Sequence, residues 1–201
     1  MTTKPGKPIG ASSEKKRPTP RGYVGIDHET IGSDILSLVR AVLMPEAVLG
    51  KETVRALRGV DPAAWYPIEM LLEPLERLDA MLGESSLRKI GWTLFELSHR
   101  EAMRGVVKSV RDVAYGIDAM YHRANRGERI GGWRVLTFEP GEAVLEKTTP
   151  HHCILEEGIL EAACREIGLT PTIFQSACFR KGDAACKIVI RSHLRDARWG
   201  G

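Results

Sequence analysis

Apolar residues recur at helical spacing through the first two thirds of the chain and alternate through much of the last third. Over 33–44, Ile35, Leu38, Val39, Val42 and Leu43 form one stripe, with Ser33 or Asp34 to cap it and Pro45 to stop it. A short helix over 51–58 ends at Gly59. Over 66–82, Ile68, Leu71, Leu72, Leu75, Leu78 and Leu82 face one way. Pro67 suits a first helical turn there, and Pro74 inside the pattern predicts a kink or restart. Further helices are predicted over 86–99 (Leu87, Ile90, Leu94, Leu97) and 101–125 (Val106, Val107, Val110, Val113, Ile117). Gly105 and Gly116 mark places where the second of these can bend.

Gly131-Gly132 then breaks the helical period. Residues 133–139 alternate as a strand, Pro140-Gly141 signals a turn, and 142–148 read as a second strand. Helical spacing returns over 152–167 and ends at Gly168, before strands over 171–179 and 185–192. The order is a helical half followed by β-β-α-β-β. Each half is apolar on one face only, so the two must pack together as one α+β domain, with helices on a twisted antiparallel sheet.

Composition changes little in this picture, but charge divides the chain. The 201 residues sum to +3. Residues 1–22 carry six basic side chains against Glu14, a local +5, so the other 179 residues sum to 3 − 5 = −2. With four prolines and few large apolar side chains, residues 1–22 read as a disordered basic tail ahead of a domain over 23–201. A positive tail on a faintly acidic body does not point to nucleic acid. No run of about 18 apolar residues is present, which argues against membrane insertion. The basic N-terminus has no apolar stretch of the secretory kind, so a cytoplasmic location is expected.

The four cysteines, Cys153, Cys164, Cys178 and Cys186, all lie in the last quarter of the chain. A tight loop around Gly182 would set Cys178 opposite Cys186 across a hairpin, with side chains about 5 Å apart. Two thiolates so placed can clasp a tetrahedral Zn²⁺, and Cys153 at the start of the connecting helix offers a third. His151, His152 or Gln175 are candidates for a fourth. Gln175 carries no charge and would need a bulge to reach the same face as Cys178. The alternative is that reduced cysteines simply fill a core, as Cys164, three helical turns after Cys153, is expected to do. Of the neighbouring acids Glu156 and Glu157, a solvated helix face accounts for at least one.

The stretch Glu156-Glu157-Gly158-Ile159-Leu160, then Cys178…Gly182-Asp183…Cys186, resembles the 4-vinyl reductase-type ligand-binding domain over about 133–192. That family shares its fold with small TRAPP transport-complex subunits and is related to haem-NO-binding signalling domains. The resemblance implies helices and a twisted sheet around an apolar cavity, and dimers formed through the helices. It also implies zinc on three cysteines and a glutamate: Cys153, Cys178 and Cys186 match, while Gln175 stands at the glutamate position, leaving His152 as a substitute. Relatives that sense phenols hold an aromatic effector with a tryptophan and a histidine. Here Trp133, His99 and Phe95 are the candidate ligand contacts. The haem branch fits poorly, because its Tyr-x-Ser-x-Arg clamp is absent and neither His99 nor His122 can be assigned as its iron ligand. Haem is therefore not expected.

No Gly-x-Ser-x-Gly, P-loop or Gly-x-Gly-x-x-Gly is present, and no catalytic constellation stands out. The reading is a small-molecule sensor or binding module for an apolar or aromatic ligand. It would be homodimeric and signal through a protein partner, since no output segment is recognisable. The alternative is a ligand-free scaffold on the same fold.

Overall fold

The computed structural model of the chain describes residues 27–200, so the basic tail over 1–22 lies outside the described residues. Its elements are β1 (Glu29–Ile31), α1 (Gly32–Ala41), α2 (Pro45–Leu49), α3 (Lys51–Arg58), β2 (Trp65–Pro67), α4 (Glu69–Leu82) and α5 (Glu84–Leu94). A π-helical turn (Phe95–His99) and α6 (Arg100–Met103) continue α5. They are followed by α7 (Val110–Ala124), β3 (Asn125–Arg126), β4 (Trp133–Glu139), β5 (Glu142–Lys147), α8 (Cys153–Glu166), β6 (Thr172–Ala177) and β7 (Cys186–Arg191).

The α+β reading holds: the helical half is followed by β-β-α-β-β. The four late strands form one antiparallel sheet in the order β4-β5-β7-β6. Helix α8 is buried along nearly its whole length, packed against α5 and bordered by α7 and β6. One apolar core joins both halves, running from Ile35 and Leu38 through Leu78, Leu87 and Leu155 to Leu145 and Ile188. Among the described residues, no helix is long and apolar enough to cross a membrane.

The structure departs from the predicted elements in places with local causes. A second small sheet, β2-β1-β3, pairs segments too short to show alternation. Pro67 closes β2 in that sheet and does not open a helix. Pro74 sits inside a continuous α4 with no restart. Helix α1 ends at Ala41, so Leu43 leaves the stripe and is 91% exposed. The π turn adds a residue to one turn and rotates the downstream side chains about the helix axis, which leaves Leu97 48% exposed. The predicted helix over 101–125 is broken: Gly105 takes φ +78°, Val106 turns 72% exposed, and α7 starts at Val110, capped by Ser109. Ser109 Oγ accepts from the Asp112 N–H at 3.2 Å, while Asp112 accepts from the Lys108 N–H at 2.9 Å.

Candidate functional site

Two neighbouring features are built from the ends of these elements. The first is a small, deep pocket of about 40 Å³ between the helical half and the sheet. It is faced by Trp133 at the start of β4, Tyr121 from α7, His99 from the π turn, His151 just ahead of α8, and Glu156 from α8. Trp133 is 8% exposed, and its indole N–H has no hydrogen-bond partner. Its backbone N–H is held by Asp118 Oδ1 at 2.7 Å, which fixes where the strand begins. Tyr121 donates its hydroxyl to the Ile130 carbonyl at 2.9 Å.

Asn125 Nδ2 donates to the Tyr121 carbonyl at 3.0 Å, so Asn125 Oδ1 is the acceptor for His151 Nε2 at 3.2 Å. That contact assigns the proton to Nε2 of a neutral His151. Burial, reinforced by the Lys147 charge, pushes this imidazole down to about 3. Phe95 is fully buried in the core and does not face the cavity. His99 does face it, and its Nε2 lies 3.9 Å from Asp34 Oδ2.

The second feature is the thiol cluster. Cys153, Cys178 and Cys186 are buried, with their sulfur atoms all within 4.8 Å of one another. Cys153 Sγ is 3.2 Å from Cys186 Sγ and 3.8 Å from Cys178 Sγ. Sulfurs bound at ~2.3 Å to a tetrahedral zinc stand about 3.8 Å apart, so the cluster already has nearly the needed size. The turn after β6 shapes it: the Cys178 N–H donates to Asp183 Oδ2 at 2.7 Å, and the Phe179 N–H donates to Cys186 Sγ at 3.2 Å. Hydrogen bonds from the Cys178 and Cys186 thiols, with the nearby Lys147 charge, hold Cys153 far below the ordinary thiol range. Sharing with Cys153 pushes Cys178 and Cys186 up.

The expected hairpin register is corrected: Cys186 pairs with Lys147 of β5, Lys187 pairs with Ala177, and Cys178 lies just beyond the end of β6. The bulge that Gln175 needs is present, between Gln175 and Ala177. Gln175 Nε2 donates to Glu157 Oε1 at 2.6 Å, and its buried Oε1 has no partner. His152 caps α8 through Nδ1, and its Nε2 lies 3.3 Å from Asp79 Oδ2. Both line a cleft of about 200 Å³ with Cys153 and Cys178. Cys164 is buried in the main core, away from the cluster, as expected. Glu156 and Glu157 are both buried, against the expectation of a solvated face.

Lys147 joins the two features. It is the last residue of β5, on the inward face with Ala143 and Leu145. Its ammonium pairs with Glu156 in the cavity wall, donates to the His151 carbonyl at 2.5 Å, and lies 3.3 Å from Cys153 Sγ. Burial alone would lower this lysine, but Glu156 and the thiols outweigh it and keep the ammonium charged. Spacing did not reveal Lys147, Tyr121 or Glu156 as site residues. The one available signal was a charged residue at an inward position of an alternating strand.

No known family's sequence profile matches the chain, and no curated protein matches it in sequence. Solved structures match it in fold. An H-NOX protein from S. oneidensis, crystallised in the Fe(II)NO ligation state, superposes with a TM-score of 0.62 at 16% identity, covering 83% of this chain and 99% of that one. An unliganded Fe(II) H-NOX protein from K. algicida gives 0.54 at 13% identity, covering 80% and 93%. The fold is that of the H-NOX domains. A further H-NOX structure, from a study of heme distortion in that family, gives 0.58 at 9% identity.

This corrects the expectation that haem is the poor branch. The fold likeness leads to the haem domains, whereas the 4-vinyl reductase and TRAPP resemblances find no counterpart among these matches. The reason is physical: layers and core survive at 9–17% identity, where a linear clamp motif need not. Imidazole and phenol donors, as at His99, His151 and Tyr121, are types that ligate haem iron. The free volume of about 40 Å³ in the pocket as packed is smaller than a porphyrin.

Proposed function

We propose that this domain is a small-molecule sensor whose ligand is received at the cavity between helices and sheet and whose state is passed to a protein partner. The observation that carries this is the buried indole N–H of Trp133, left without a partner at the cavity edge. An unsatisfied buried donor costs about 1–3 kcal/mol, and a ligand with an acceptor group relieves it. The H-NOX-type fold supports the same reading by analogy.

Zinc held by Cys153, Cys178 and Cys186 belongs to this proposal as a structural ion. Its fourth position faces the cleft shared by His152 and Gln175, where Gln175 offers an unpartnered carbonyl oxygen. Zinc there would fix the β6–β7 turn against the start of α8. Lys147 would then hold the cavity wall to the same anchor through Glu156 and Cys153.

The small volume of the pocket favours a second reading, a scaffold that keeps the fold without a ligand. Native mass spectrometry of the purified full chain, with and without added haem, separates the two. The sensor reading expects a retained small molecule or one haem per chain, alongside one zinc and a homodimer. A chain that carries zinc but takes up neither haem nor any retained molecule sinks the sensor reading and leaves the scaffold.

A further inference from the structure

A larger groove of about 540 Å³ lies beside that pocket, between α1, the π turn with α6, and α7. Four residues, Asp34, His99, Met120 and Ala124, face both spaces, so a single layer of side chains separates groove from cavity. The groove is polar at this floor, where Ser33 and Ser98 join Asp34 and His99. It is apolar along its length through Met103, Val106, Val107 and Met120. Its volume lies within the range of drug-sized ligand sites.

We propose that this groove binds an amphipathic amine, with the ammonium head at Asp34 and the hydrocarbon body along Met103, Val107 and Met120. The proposal goes beyond the cavity reading and does not depend on it. Asp34 sits in the first turn of α1 and is 6% exposed. The His99 imidazole faces it with Nε2 at 3.9 Å, longer than a hydrogen bond. Burial raises this carboxyl above its ordinary value, with His99 and Ser98 only partly opposing, which marks a carboxylate short of counter-charge.

The groove also carries Arg111, Asp112 and Arg123, all exposed. Arg111 already lies 5.3 Å over the Tyr115 ring and 5.7 Å from that of Phe138, and Asp112 is committed to the α7 cap. An exposed guanidinium selects an anionic head only weakly, whereas a charge-assisted hydrogen bond to a buried carboxylate is stronger. The floor therefore decides the head group.

The test is calorimetric titration of the full chain with three probes of equal chain length: octylamine, octanol and octanoate. Octylamine is expected to bind saturably at one site per chain, at least tenfold more tightly than the other two. Asp34→Asn is expected to remove that preference while leaving octanol unchanged. Ala102→Trp, an exposed substitution in the groove wall, is expected to abolish octylamine binding while its circular dichroism matches that of the wild type. Octanoate binding as tightly as octylamine, an amine preference that survives Asp34→Asn, or octylamine binding that persists in folded Ala102→Trp would each overturn the proposal. A failure here leaves haem uptake at the cavity untouched, so the two readings fail separately.

Discussion

Gly91 of α5 lies against Gly158 of α8, so close that a Cβ on Gly91 would fall 3.2 Å from the Gly158 Cα and 2.0 Å from the Leu155 carbonyl oxygen. The reverse also holds: a Cβ on Gly158 would fall 2.1 Å from the Arg88 carbonyl oxygen. This crossing sets the depth at which α8 sits, and α8 carries Cys153 at its start and Glu156 in the cavity wall. Arg88 pairs with Glu157 beside the crossing, and Trp92 Nε1 donates to Glu161 at 3.1 Å.

Either glycine changed to alanine should therefore force the helices apart. Overpacking of this kind costs typically about 1–3 kcal/mol, and backbone atoms on the far side put these two sites at about 3 kcal/mol. Urea unfolding of Gly91→Ala and Gly158→Ala should show lowered midpoints. A wild-type midpoint in both would mean that the helices do not cross at these residues.

The Lys147–Glu156 pair predicts a non-additive result. Lys147→Met leaves the Glu156 carboxylate buried among Thr149, Tyr121 and Leu155, with only the Thr149 hydroxyl at 2.7 Å to compensate it. Removing one partner of a buried pair costs about 3–5 kcal/mol. The double variant Lys147→Met with Glu156→Gln removes the stranded charge and should recover most of that loss. Denaturant unfolding of the four-member cycle checks it, and simple additivity would show that the pair does not act as a unit.

The thiol cluster was legible in the sequence because its chemistry depends on a few fixed spacings: Cys153 opens a helix, and Cys178 and Cys186 flank one turn. The layer order was legible because the long elements repeat their periods many times. The cavity was not, because Trp133, Tyr121, His99 and the His151–Glu156 segment come from four separate stretches, and only tertiary packing brings them to one space. Strands β1 to β3 escaped because two or three residues cannot show an alternation. Lys147 stands between these cases. It follows Ala143 and Leu145 on the inward face of β5, where a lysine needs a partner, and the acid that supplies it is Glu156.

Zinc removal should act on the cluster before the rest of the fold. If the cluster holds zinc as proposed, Cys178→Ser should lower it from about one equivalent per chain to well under half, because three thiolates would supply most of the ligand set. Elemental analysis after gel filtration measures this. Since metal binding displaces the protons that Cys178 and Cys186 retain, uptake by the wild type should weaken as pH falls. Zinc content that is unchanged in Cys178→Ser would place any metal elsewhere.

Asp34 predicts a pH dependence of the opposite kind from an ordinary surface carboxylate. Its folded-state value is raised, first by burial, with His99 and Ser98 acting against the shift. Above the unfolded value of 3.8 the unfolded chain releases this proton while the folded chain still holds it. The Asp34 contribution to stability is therefore present at acid pH and is lost as pH rises through the raised folded value. Asp34→Asn removes a group that titrates and leaves its shape almost unchanged. The variant should match the wild type near pH 4 and exceed it progressively at higher pH, by about 2–4 °C in Tm for each ~1 kcal/mol gained. Thermal melts of both proteins from pH 4 to pH 8 give the difference directly. His99 is the titratable group facing Asp34, so the same series in a His99→Gln background should show a larger gain, because the one imidazole that offsets the buried charge is gone. A variant that loses stability as pH rises would mean that Asp34 is well compensated where it lies, and that the floor of the groove has no charge left to offer a ligand.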